Sequence, residues 1–265
     1  MALPLFDVHA HYQDSRYDED REVLLEEMRA AGVKGIIDSG DSAESSVKCI
    51  QCAEKHDFVY AAAGIHPLNI LDTTQEDIDR VRDMLNHSKV VAVGEIGLDY
   101  YYEDCAPADI QKKWCKKLIE LAAESRLPIV FHDREAHEDS LNMLKYAAGM
   151  GVTGLMHCYS GSVEMMHEII KLGFSISVGG VVTFKNAKKI VEVVKEVPIE
   201  KLFLETDAPY LTPVPFRGER NNSAMIAYVA EKISEIKGLN TEEMCNIIYN
   251  NSIKMFGQKR KIQEI

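Results

Sequence analysis

Short apolar runs alternate with amphipathic segments along the whole chain. Leu5-Phe6-Asp7-Val8 reads as a strand, and residues 19–31 place Val23, Leu24, Met28 and Ala31 at helical spacing. Val33 to Asp38 predicts the next strand. Ser39-Gly40-Asp41-Ser42 then reads as a loop and helix start, and 43–55 as a helix. The alternation continues with strands over 58–64, 90–93 (ending at Gly94-Glu95), 128–132, 154–157, 174–178 and 201–205. Helices over 75–86, 108–125, 137–147, 163–172 and 186–196 separate them, and helices over 222–236 and 241–256 follow the last strand. The β-branched run Val90-Val91-Ala92-Val93 is the pattern of a strand buried on both faces.

Strands each followed by a helix, eight times over, predict an α/β fold of the (β/α)8 TIM-barrel class. Its catalytic site then lies at the C-terminal ends of the strands. A doubly wound open sheet is the alternative, but no Gly-rich turn follows the first strand. With no linker, low-complexity tract or short repeat, residues 1–265 read as a single domain.

A hydrophobic fraction of 46% supplies a sizeable core and excludes wholesale disorder. No apolar run reaches the ~20 residues of a membrane helix. Met1-Ala2-Leu3-Pro4-Leu5 lacks the basic and apolar regions of a signal peptide. Six cysteines are too sparse for a disulfide scaffold, so the expectation is a cytoplasmic protein with reduced thiols. Thirty basic against 42 acidic residues leave a net charge of −12, which argues against a broad nucleic-acid-coating surface. An enzyme gripping a few phosphates locally stays open, above all one with metal ions that reverse the local field.

The candidate chemistry is positional. His9 and His11 end the first predicted strand, His66 follows the third, Glu95 ends the fourth, His132 the fifth and His157 the sixth, and Asp207 follows the eighth. In a barrel these ends share one mouth. Five of the nine histidines lie there. His9 and His11, two apart on a strand, share a face and can reach one ion. Imidazole with carboxylate suits zinc, manganese, iron or similar ions. Six donors exceed what one catalytic ion takes and suit two ions sharing a carboxylate, for which Glu95 is the natural bridge.

Several motifs together resemble the TatD-type metal-dependent deoxyribonucleases of the amidohydrolase superfamily. They are Asp7-Val8-His9-Ala10-His11, Gly64-Ile65-His66-Pro67, Gly94-Glu95-Ile96-Gly97-Leu98-Asp99-Tyr100, His132-Asp133-Arg134-Glu135-Ala136, His157-Cys158-Tyr159-Ser160-Gly161 and Glu205-Thr206-Asp207-Ala208-Pro209-Tyr210-Leu211. They occur in the family's order and cover nearly the whole chain. The resemblance implies that His9, His11 and Asp207 hold one divalent ion, His132 and His157 the other, and that Glu95 bridges. The ions would be zinc, magnesium or manganese. It implies hydrolysis of DNA phosphodiesters, often from the 3′ end, with single-stranded ends as substrate and no obligate protein partner. Two positions depart from the family pattern. Tyr12 stands where Leu is common, and Asn222-Ser223 where an acidic residue and Pro are common.

The expected catalytic residues are Asp207, Glu95 and His66. The ions would supply hydroxide near neutral pH and charge for the phosphoryl oxygens. Asp207 takes or returns the proton, His66 contacts the phosphate or leaving group, Arg134 offers a charge-assisted bond, and Glu205 orients the site. Tyr100, Tyr101 and Tyr102 either stack on bases or pack as a lid. Arg134, Arg217, Lys185 and Arg220 form a candidate phosphate track, against the plainer reading of Arg134 as a surface ion pair.

Plainer roles fit other residues. Asp207 in Asp-Ala-Pro is alternatively a helix cap, and His132 and His157 are alternatively core histidines. Asp7 reads as a structural hydrogen-bond acceptor and Asp99 as a loop-ordering residue. His56, His87, His137 and His167 read as structural. Cys49, Cys52, Cys158 and Trp114 read as packing, and the Lys112-Lys113 and Lys116-Lys117 pairs as a solvated helix face. Two other functions compete with the nuclease: a related barrel hydrolase acting on a small amide, lactone or phosphoester, and a non-enzymatic metal-binding barrel.

Overall fold

The computed structural model describes residues 3–257. Its strands are β1 (Leu5–Ala10), β2 (Val33–Ser39), β3 (Val59–Ala63), β4 (Val90–Asp99), β5 (Ile129–Arg134), β6 (Gly154–Met156), β7 (Ser175–Val178) and β8 (Leu202–Leu204). Each pairs in parallel with the next in chain order. The barrel closes where Ala10 bridges Ala208. There His11 N–H donates to the Ala208 carbonyl at 2.7 Å and Asp207 N–H to the His9 carbonyl at 3.0 Å.

The helices are α1 (Arg21–Ala30), α2 (Ala43–Lys55), α3 (Gln75–Met84), α4 (Ala108–Ser125), α5 (His137–Gly149), α6 (Val163–Lys171), α7 (Lys188–Glu196), α8 (Ile226–Lys237) and α9 (Thr241–Phe256). They cover the outside of the strands, as the helical spacing in the sequence predicts. Several starts are written locally. Ser42 and Thr74 cap α2 and α3 by accepting from the third residue onward, with Ser45 and Asp77 bonding back. None of the helices among the described residues is long and apolar enough to cross a membrane.

Several boundaries shift by a residue or two, with β5 running on to Arg134 and β2 to Ser39, and two larger shifts have a clear local reason. β4 runs on to Asp99, so Glu95 lies within the strand rather than at its end. Gly97 permits this continuation. Its φ is 147°, and a Cβ there would collide with the His132 carbonyl oxygen on β5. The segment expected to open α8 at 222 instead forms a 3-10 turn, Ser223–Met225, capped by the Asn222 side chain.

Side chains two apart along a strand share a face, and this layering builds the site. Ile37, Val130, Leu155 and Phe203 belong to one buried apolar cluster, with Phe256 of α9 packing against it. One step further along the same faces come Ser39, His132, His157 and Glu205. A dry apolar layer therefore supports a polar layer at the C-terminal ends. A second, larger cluster lies between strands and helices and includes Trp114 and Leu118 of α4. Cys49 and Cys52 are also buried, on α2, which agrees with a packing role.

Candidate metal centre

His9 and His11 bring their Nε2 atoms within 3.0 Å of each other. The residue that orients both is Ser39, at the end of β2. Its carbonyl lies 2.9 Å from His11 Nδ1 and its hydroxyl 3.1 Å from His9 Nδ1. A carbonyl only accepts, so His11 carries its proton on Nδ1 and turns an Nε2 lone pair into the site. Asp207 Oδ1 stands 3.6 Å from His9 Nε2 and 3.5 Å from His11 Nε2. The Asp207 backbone is left-handed, with φ 56°, a conformation costly for a non-glycine residue. Its side chain faces the imidazoles and does not cap a helix.

Glu95 divides its carboxylate between two groups. Oε2 faces His9 and His11 at 3.3 and 3.4 Å. Oε1 faces His157 at 2.7 Å, His132 at 2.8 Å and His66 at 3.4 Å. His132 presents Nδ1 inward, because Asp99 Oδ2 lies 3.1 Å from its Nε2. Asp99 also accepts from Tyr101 N–H at 2.9 Å. It orders the following loop, as expected, and orients an imidazole as well. His157 Nδ1 is buried with no hydrogen-bond partner. Glu205 is held by Cys158 N–H and the Ser177 hydroxyl, both at 2.6 Å.

The electrostatics of this cluster favour a bound cation. For His11, burial opposes the charged form, but Asp207 and Glu95 outweigh it and raise the pKa to about 10. For His132, burial is likewise outweighed by Asp99 and Glu95, to about 9. Burial and the neighbouring His157 push His9 down to about 3. Burial works against the Glu95 carboxylate, yet His157, His66 and His9 around it hold it well below the usual range. Burial raises Glu205 to about 7. Protons on His11 and His132 thus balance the carboxylates when no other cation does. A convergent set of imidazole and carboxylate atoms fits a divalent ion. The donor atoms of His9, His11 and Asp207 lie within 4.8 Å of one another, as do those of His9, Glu95 and His157, and of His66, Asp99 and His132.

His66 differs from its neighbours in one respect. Its Nδ1 accepts from Leu68 N–H at 3.1 Å, at the start of a short 3-10 turn. Nε2 therefore carries the proton and faces the site as a donor. Around the mouth, Arg134 stacks its guanidinium 3.8 Å from the Tyr101 ring centroid and reaches the Tyr102 hydroxyl at 3.2 Å. Tyr100 is committed elsewhere. Its ring packs on the main core and its hydroxyl donates to Asp139 at 2.9 Å. The exposed aromatics of this loop are Tyr101 and Tyr102. Arg220 leaves the candidate phosphate track, since it pairs with Asp20 and donates to the Arg16 carbonyl.

Asp7 has the expected structural role. It accepts from Thr206 N–H, the Thr206 hydroxyl and the Ser223 hydroxyl, beside the loop that carries Asp207. The two departures from the family pattern meet here. Tyr12 donates its hydroxyl to Ser223 Oγ at 3.0 Å and accepts from Ser223 N–H at 2.9 Å. Sequence reasoning missed Ser39. Its position at a strand end was the available signal, but a serine after an apolar strand also reads as a loop.

The chain matches the family model described as TatD related DNase over residues 6–257. A Bacillus subtilis (strain 168) protein described as an uncharacterized metal-dependent hydrolase, YabD, is 45% identical over 252 residues, covering 95% of this chain and 98% of that one. The 3′-5′ ssDNA/RNA exonuclease TatD of Rahnella sp. (strain Y9602) is 30% identical, over 95% of this chain and 98% of that one. Among solved structures, the TatD homologue YjjV of Escherichia coli K12 superimposes with a TM-score of 0.91 at 30% identity, covering 97% of this chain and 99% of that one. Matched along nearly its full length, with imidazoles and carboxylates converging at the barrel mouth, the chain belongs to the TatD family of metal-dependent hydrolases.

Proposed function

We propose that this protein is a 3′-to-5′ exonuclease that hydrolyses phosphodiester bonds at single-stranded DNA ends, using two divalent ions bridged by Glu95. The observation that carries the reading is the division of Glu95. One oxygen faces His9 and His11, and the other faces His132 and His157. His9, His11 and Asp207 would hold one ion, and His132 and His157 the other. The exonuclease named among the relatives supports the choice of substrate.

Divalent ions held by these residues would supply a hydroxide near neutral pH and positive charge against the phosphoryl oxygens. The chain's own groups do the rest. Asp207 accepts the proton released as the nucleophile forms and returns it to the leaving oxygen. His66 donates its Nε2–H to the phosphate or the leaving oxygen. Arg134 offers its guanidinium to a neighbouring phosphate. Ser39 and Asp99 fix the tautomers of His11 and His132, which keeps their lone pairs directed inward.

The test is digestion of a 5′-labelled single-stranded DNA oligonucleotide by metal-reconstituted protein, beside Asp207→Asn. A ladder that shortens from the 3′ end, absent with the variant and with chelator, is expected. Hydrolysis of a small ester or lactone without cleavage of the oligonucleotide would replace this reading with the small-molecule hydrolase. The net charge of −12 makes that the one alternative to pursue. Equal cleavage by both proteins would remove Asp207 from the mechanism.

A further inference from the structure

The arginines of this acidic chain divide into two groups. Arg16, Arg21, Arg29, Arg80, Arg82 and Arg220 each sit on an aspartate. Among the described residues, Arg126, Arg134 and Arg217 have no carboxylate partner. Arg126 ends α4 ahead of β5, at the end of the barrel away from the site. Arg134 and Arg217 both lie at the mouth, and both are held by aromatic rings. Arg134 lies 3.8 Å from the Tyr101 centroid and 5.0 Å from that of Tyr102. Arg217 lies 3.8 Å from the Phe184 centroid. Such stacking fixes the guanidinium plane. Arg134 Nη1 donates to the Tyr102 hydroxyl, and its other N–H groups, like those of Arg217, meet no carboxylate and can take an anion.

The two stacks occupy different sectors of the mouth. Tyr101 and Tyr102 follow β4, and Arg134 ends β5. Phe184 follows β7, and Arg217 follows β8. The loops carrying the second stack are tied together. Val214 N–H donates to the Thr183 hydroxyl at 2.9 Å. Gly180 also lies so close to Leu211 and Pro213 that a Cβ there would meet the Leu211 carbonyl oxygen. Lys185, exposed beside Phe184, adds a further cation to that sector. With strands in the order β1 to β8 around the barrel, the first stack sits at the ends of β4 and β5 and the second at those of β7 and β8, and His157, just after β6, comes between them in that order.

We infer that these stacks are two nucleotide subsites on opposite sides of the cleaved bond. A single strand crosses the mouth, with its phosphates on the guanidinium edges and its bases on the exposed faces of the stacks. This inference rests on the exonuclease reading and adds the requirement that substrate be gripped on both sides. Tyr101 and Tyr102, 55% and 42% exposed, have ring area to offer a base. Arg16 shows the contrast. It also stacks on an aromatic, Tyr210 at 4.1 Å, but Asp14 occupies its guanidinium edge through two hydrogen bonds.

The test compares KM and its salt dependence for a thymidine dinucleotide and a longer thymidine oligonucleotide. The proteins are the metal-loaded parent, Arg134→Ala, Tyr101→Leu, Arg217→Ala, Arg217→Lys and Phe184→Leu. Each variant is expected to raise KM for the longer substrate about tenfold. Each arginine-to-alanine change should also flatten the slope of log(1/KM) against log salt by about 0.7. Arg217→Lys should keep the slope and still raise KM, because it retains the charge and loses the stack. An abasic terminal nucleotide should abolish the sensitivity to one stack's aromatic variant, Tyr101→Leu or Phe184→Leu, and preserve it to the other's. Parent-like KM and slopes in the Arg217 and Phe184 variants, with oligonucleotides still cleaved, would overturn the two-sided grip and leave the exonuclease reading standing. A parent that hydrolyses bis(p-nitrophenyl) phosphate but no oligonucleotide would overturn both.

Discussion

At the scale of single residues, the site depends on which atom of each imidazole faces inward. His66 is the informative case, because its Nδ1 is occupied by Leu68 N–H and its Nε2 is a donor. His66→Ala should therefore lower kcat by about 10²-fold while bound metal stays constant, and His66→Gln, which keeps an N–H, should recover part of the loss. Loss of metal in His66→Ala would show that it is a ligand. A second residue-scale prediction concerns Tyr12 and Ser223. Each is bonded to the other, and Ser223 continues the chain of contacts to Asp7. Proline at 223 would remove the N–H that Tyr12 accepts from. The two departures from the family pattern thus read as one compensated change. A double-mutant cycle of Tyr12→Phe and Ser223→Ala, followed by urea unfolding, should show a coupling of about 1 kcal/mol. Strict additivity would mean that the pair acts independently.

At the scale of elements, strands bring the donors together by placing side chains two apart on one face. The placement of His9, His132 and His157 at or near the ends of β1, β5 and β6 was legible because apolar runs stop there at histidine, although β5 itself runs on to Arg134. The continuation of β4 to Asp99 was not, since Gly94 and Gly97 read as strand breakers when no neighbouring strand is in view. In the barrel the same glycines are what let the strand continue beside β5. Ser39 and the second role of Asp99 were hidden because orienting bonds across strands leave no spacing signature. The sequence offers Tyr100, with its two neighbours, as either a base-stacking or a lid-packing aromatic. Position along the loop does not reveal that its ring turns toward α5, where Asp139 binds it. Gly97 supplies the prediction at this scale. Gly97→Ala should destabilise the fold by about 3 kcal/mol, from the collision with the His132 carbonyl and the unfavourable φ. Its metal content should fall as well, because the collision displaces His132. A variant with parental melting temperature and metal content would contradict this role for the close approach of β4 and β5.

At the scale of the whole molecule, a charge of −12 coexists with a mouth whose buried carboxylates are balanced by imidazolium groups when metal is absent. His11 and His132 have folded pKa values of about 10 and about 9, above the ordinary value of 6.5. A raised pKa means that the folded form binds the proton more tightly. The resulting stability is fully present below pH 6.5 and is lost as pH rises through about 9 to 10. The Tm of chelated protein should accordingly fall between pH 7 and pH 10. Metal-loaded protein should fall less steeply, because bound ions replace those protons while the buried thiols, whose pKa burial raises, still lose stability toward pH 10. A chelated Tm that is flat or rises over this range would contradict that balance. The most direct measurement is the initial rate of terminal nucleotide release from single-stranded DNA as manganese or zinc is added back to chelated protein, for parent and Glu95→Gln. The rate should rise to a plateau at two equivalents per chain, with Glu95→Gln inactive throughout. A plateau at one equivalent, or an active Glu95→Gln, would contradict a pair of ions bridged by this carboxylate.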